Sequence, residues 1–118
     1  MNVLKQYPNM ALATKNRAGY LNVVPVSVLE IDEGKVLLFD FFMDKSRQNI
    51  QDTGTVALTC WYGLDGFQVK GHACYISSGS IFEKYLPIMH EKFPNRILRG
   101  VISITVTESH SVAPDRVC

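Results

Sequence analysis

The run from Ile97 to Thr107 ends in strict alternation, with Ile102, Ile104 and Val106 on one side and Ser103, Thr105 and Thr107 on the other. A period of two over that length belongs to a strand with one face in a core and one in water, and it is incompatible with a helix. The β signal recurs upstream. Met10 to Thr14 reads as a strand whose Ala11 and Ala13 permit close approach by a neighbour, and Asn16 to Gly19 supplies turn chemistry after it. Tyr20 to Ile31 is a long β-rich run interrupted by Pro25, which removes a ladder donor and so marks an edge or a local break. Asp32-Glu33-Gly34 is a tight turn, and Lys35 to Phe42 returns as the next strand of a hairpin. Val56 to Tyr62 and Phe67 to Ile76 flank Gly63-Leu64-Asp65-Gly66 and predict a second hairpin.

Helical signals are short. The residues before Tyr7-Pro8-Asn9 allow one brief N-terminal helix. A second helix follows Asp44, which is a good N-cap residue, with Ile50 facing inward and Gly54 where a helix often ends in the left-handed conformation. Ser80 is the expected cap of a third helix from Ile81 to Lys92, whose Ile81, Tyr85, Ile88 and Met89 form an apolar stripe despite Pro87. From Glu108 to Cys118 no period is visible. About six hairpin-connected strands with two or three short helices predict a mainly β antiparallel barrel rather than a doubly wound sheet. Neither of the common glycine-rich phosphate loops is present.

The 118 residues suit one domain spanning 1–118, and a formal net charge of +1 gives no broad field for nucleic acid or an anionic membrane. No charged-then-apolar leader and no apolar run near the roughly 18 residues of a membrane helix is seen, so a soluble cytoplasmic protein is expected. Cys60, Cys74 and Cys118 lack C-x-x-C spacing and read as reduced thiols, the first two as small core residues and the last as exposed. His72, His90 and His110 are scattered, and no metal site is expected.

The chemistry concentrates where the apolar run Phe39-Asp40-Phe41-Phe42-Met43 meets Asp44-Lys45-Ser46-Arg47-Gln48-Asn49-Ile50. A helix N-terminus leaves N–H groups unpaired and carries partial positive charge, so Lys45, Ser46 and Arg47 add donors where a phosphate already prefers to sit. The plainer reading is a solvated cationic surface. Asp44 opposes the phosphate reading unless its carboxylate points away.

In order and spacing, Ala11-Leu12-Ala13-Thr14, Asn22-Val23-Val24-Pro25-Val26, Lys35 to Phe39 leading into Lys45 to Ile50, Val56-Ala57-Leu58-Thr59 and Gln68-Val69-Lys70-Gly71 resemble the FMN-binding split-barrel family related to pyridoxamine 5′-phosphate oxidase. The similarity spans most of residues 8 to 107, and in length the chain is similar to that family's small single-domain members. The resemblance implies a six-stranded split barrel with FMN at a homodimer interface. It implies Lys45 and Ser46 as phosphate ligands, Arg47 and Asn49 near the ribityl phosphate, and the flavin ring along Val24, Pro25, Val26, Phe39, Asp40 and Phe41. Gln68 matches a glutamine that reaches the flavin, though the motif after it is shortened here to Val69-Lys70-Gly71. The sequence is without the C-terminal extension that holds pyridoxal phosphate in the oxidase, so that reaction is not expected to carry over.

The implied function is a small FMN-dependent oxidoreductase or electron carrier. No essential side-chain nucleophile is expected, and His72 is the one acid–base candidate left open. Two alternatives stand beside it: a split barrel that binds another ligand, deazaflavin or haem, and an interaction module without cofactor.

Overall fold

The computed structural model describes residues 2–111. A 3-10 turn over Asn2–Gln6 leads into β1 (Asn9–Lys15), β2 (Leu21–Val26), β3 (Leu29–Asp32) and β4 (Lys35–Asp40). Then come α1 (Asp44–Asp52), β5 (Thr55–Tyr62), β6 (Asp65–Ile76), α2 (Ser80–Lys92) and β7 (Gly100–Ser111). The strands form one antiparallel sheet in the order β2-β1-β5-β6-β7-β4-β3.

There are seven strands rather than the expected six, because the run from Tyr20 to Ile31 divides at Ser27-Val28. Its first half pairs with β1 and its second with β4, at opposite ends of the sheet. Two residues cannot bridge a flat seven-stranded sheet. Three Cα steps from Val26 to Leu29 reach only about 11 Å, so the sheet must curl until its two edges nearly meet. The unpaired seam between β2 and β3 is the split of the barrel. Pro25 sits on β2 opposite Ala11, and β2 has β1 as its one neighbour, so the missing donor falls on an edge.

Two cores result. Leu12, Val36, Leu38, Leu58, Val69, Ile102 and Ile104 point into the barrel, and Ile50 plugs it from α1. Leu37, Phe39 and Val101 point the other way and are covered by Tyr85 and Met89 of α2 together with Leu98. Every residue from Val36 to Asp40 is therefore buried, which explains an uninterrupted apolar run where a one-sided strand would alternate.

Asp32-Glu33-Gly34 turns between β3 and β4, and Gly54 follows α1 with φ +72°. A Cβ at Gly54 would also lie 2.3 Å from the His72 ring, so both backbone and space require glycine there. Several local expectations are corrected. Residue Asp44 is the first of α1 rather than its cap, and Gly79, not Ser80, precedes α2. Ile88 is exposed, because the buried stripe of α2 runs through Tyr85 and Met89, four apart, and leaves Ile88 to one side. Cys74 is exposed as well: β6 turns Val69 and Ala73 inward, so Cys74 shares the outer face with Lys70 and His72. Cys60 is buried as expected, and Cys118 lies outside the described residues. Strand β7 continues to Ser111, beyond the point where its sequence loses its period, because Glu108 to Ser111 still pair with Phe67 to Lys70. Among the described residues no helix is long and apolar enough to cross a membrane.

Candidate functional site

The end of β4, the start of α1 and the free face of β2 enclose a groove of about 320 Å³, at the small end of the range for ligand pockets. Val24, Pro25 and Val26 form one wall and Phe39 and Phe41 the other. Lys45 and Ser46 close one end, and Phe42 and Met43 cover the turn between strand and helix. The sequence-derived residues Val24, Pro25, Val26, Phe39, Phe41, Lys45 and Ser46 are thus brought together by three separate elements.

Asp40, Arg47, Asn49 and Gln68 do not line this groove. The Asp40 carboxylate is fully buried and accepts the Met43 N–H at 2.5 Å through Oδ1 and the Tyr75 hydroxyl through Oδ2. It fastens the strand-to-helix junction rather than facing the groove. Burial first, and the bond to Asp40 second, hold the Tyr75 phenol protonated well above its ordinary range. The Arg47 guanidinium lies over the Tyr75 ring, 4.8 Å from its centroid. Buried Asn49 donates through Nδ2 to Thr14 Oγ1 at 3.0 Å, tying α1 to β1. Gln68 lies on β6 opposite Thr59 and His110, on the face turned away from the barrel core.

At the polar end the geometry suits an anion. No side chain caps α1, so its first-turn amides keep their donor capacity. The Asp44 carboxylate, which would repel an anion, instead accepts from Arg99 Nη2 at 3.1 Å, and Arg99 is held in its charged form by that bond first. Ser46 is buried, and its hydroxyl accepts from Asn22 Nδ2 at 3.0 Å, which aims its own proton elsewhere. Lys45 is exposed and has no acidic partner among the described residues.

Asn22, Ser27, Phe42, Met43, Asp44 and Arg96 also line the groove but were not assigned to it from sequence. Asn22 had a signal, since it stands two residues before Val24 on the same face of a strand. Arg96 had none, because the loop after α2 reaches the groove only through the fold.

The arrangement is a largely apolar slot ending in a cation, a hydroxyl and helix amides. None of the three histidines and neither described cysteine lines it. Among the described residues no cluster of His, Cys, Asp and Glu could hold a metal.

The family model described as pyridoxamine 5′-phosphate oxidase matches residues 2–117. An uncharacterised protein of Methanocaldococcus jannaschii is 33% identical over 109 residues, which is 86% of this chain and 70% of that protein. An FMN-binding protein from Syntrophomonas wolfei superposes with a TM-score of 0.82 at 19% identity, covering 95% of this chain and 82% of the other. HutZ, a haem storage protein from Vibrio cholerae, superposes with a TM-score of 0.72 at 10% identity, covering 91% and 87%. At such identities these two structures show the shared fold and no more. The extent of the family match, with the relative's identity, shows that the chain belongs to the pyridoxamine 5′-phosphate oxidase family.

Proposed function

We propose that the protein holds FMN in the groove between β2, β4 and α1 and serves as a small oxidoreductase or electron carrier. The observation that carries this reading is the convergence of an apolar slot with Lys45, Ser46 and the uncapped start of α1. A phosphomonoester carries about −1.5 to −2 charge at neutral pH, and Lys45, the Ser46 hydroxyl and helix amides are its natural partners. Val24, Pro25, Val26, Phe39 and Phe41 would hold the ring system and exclude water from its faces. Pro25 lacks an N–H, so no donor on that residue competes with the ring for the wall.

Bound FMN supplies one- or two-electron transfer, and the chain's part is to orient it and set its surroundings. In the groove lining Phe42 is 74% exposed, and Val23, next to Val24 on β2, is 63% exposed. A second copy packed there as a homodimer would cover those side chains, complete the site and bring in Arg47 or Gln68 from positions that this protomer's groove does not reach, whereas Asn49 stays buried against Thr14.

Haem is the second reading, motivated by the HutZ likeness. The absence of histidine from the groove lining favours flavin over it. Reconstitution with FMN and with haemin, followed by visible spectra, tests the two together. Stoichiometric FMN uptake with quenched flavin fluorescence supports the proposal, whereas uptake of haemin alone overturns it.

A further inference from the structure

We propose that a second groove, behind Arg96, takes a small apolar carboxylate and presents it beside the FMN site. This deepens the reading of the first groove as a cofactor site and rests on it. The second groove encloses about 500 Å³ between the end of α2 and the loop that follows it. Leu86, Pro87, Pro94, Ile97 and Leu98 make its walls apolar, and His90, Asn95 and Arg96 are its polar groups.

Arg96 belongs to both grooves. Its guanidinium is centred 4.8 Å from the Phe93 ring and 5.5 Å from the Phe41 ring, which themselves pack edge to face. Phe41 is also a wall of the first groove. Two aromatic faces thus hold a planar cation at the junction, while its N–H edges remain free to donate. Arg96 has no carboxylate partner among the described residues, although Lys5, Arg17, Lys84 and Arg99 all have one. Among the described residues no acidic side chain lines the second groove.

Charge and shape together select the occupant. An apolar body fits the Leu86–Leu98 walls, and a carboxylate at its head meets a preorganised fork that favours bidentate binding. The phosphate end of the first groove, at Lys45 and Ser46, is supplied by a different element from Arg96.

The test is calorimetry on the full chain, with and without added FMN, using 4-phenylbutyrate and its amide as probes of matched shape. The carboxylate is expected to bind about tenfold or more tightly than the amide, the scale of a charge-assisted pair. Arg96→Gln should abolish the preference for the carboxylate over the amide, and Arg96→Lys should restore only part of it. Equal binding of the two probes by the wild type, or a preference that survives Arg96→Gln, overturns the proposal. Absence of binding by either probe overturns it too, and dissociation of a dimer by Ile97→Asp would then assign the groove to a second copy. Failure of FMN to bind is a separate result, which removes the cofactor reading and not the Arg96-dependent preference.

Discussion

The Tyr75 hydroxyl donates to Oδ2 of the fully buried Asp40, so a side chain from β6 anchors the junction at which β4 becomes α1. Oδ1 of the same carboxylate holds the Met43 N–H. Tyr75→Phe keeps the ring beneath Arg47 and deletes only the donor, leaving a buried charged oxygen short of a partner. A loss of about 1–3 kcal/mol is expected. Urea unfolding measures it, and an unchanged midpoint would show that the bond contributes nothing.

Lys45 and Arg47 are separable by ligand choice. If Lys45 meets the FMN phosphate, Lys45→Ala should weaken FMN by about 1.5–3 kcal/mol and leave riboflavin, which lacks the phosphate, nearly unaffected. Arg47→Ala should act on the same difference to the extent that its guanidinium leaves Tyr75 on binding. Fluorescence titration with both ligands decides this. An FMN-to-riboflavin ratio unmoved by either substitution would place the phosphate elsewhere.

The α2 helix should loosen at high pH. Burial first, and the bond to Asp32 second, push Tyr85 from 10.0 up to about 12. A folded-state value above the unfolded one favours folding below the unfolded value, and that contribution disappears as pH rises through the folded value. Stability should therefore be level near neutrality and fall between about pH 10 and 12. Cys60, raised to about 11 by burial, acts in the same direction. Tyr85→Phe should narrow its stability gap to the wild type as pH climbs through that window. Urea midpoints from pH 8 to 11.5 test this, and a constant gap would show that Tyr85 does not report on the transition.

The two described cysteines should respond differently to serine. Cys60 is fully buried, so Cys60→Ser is expected to cost about 1–3 kcal/mol for a hydroxyl placed in an apolar setting. Cys74→Ser, on the outer face of β6, should stay within about 0.5 kcal/mol. Neither should alter the rate at which bound flavin is reduced by nicotinamide donors, since neither lines the groove. Loss of reduction with FMN retained would require thiol chemistry in the mechanism.

The homodimer is checked by sedimentation. Phe42→Asp replaces a 74% exposed ring of the groove lining with a carboxylate, and it should shift a dimer toward monomer and weaken FMN together. A wild-type monomer that binds FMN stoichiometrically would rule out a shared site.

Local signals carried much of the architecture. Alternation from Ile102 to Thr107, the turn at Asp32-Glu33-Gly34 and the glycine after α1 each depend on a few neighbouring residues, and each appears where the sequence places it. Lys45 and Ser46 were legible as the first turn of a helix for the same reason, because a helix start depends on its own neighbouring residues. The chain alone could not show that Tyr20 to Ile31 splits between opposite edges of one sheet, since pairing partners lie far away in sequence. Nor could it show that Cys74 faces out, that Asp44 is neutralised by Arg99 fifty-five residues later, or that Arg96 reaches the groove wall. Short-range chemistry writes turns and helix ends into the sequence. Closure of the barrel then chooses which distant side chains meet, because curling the sheet is what brings β2, β4 and the loop after α2 to the same place.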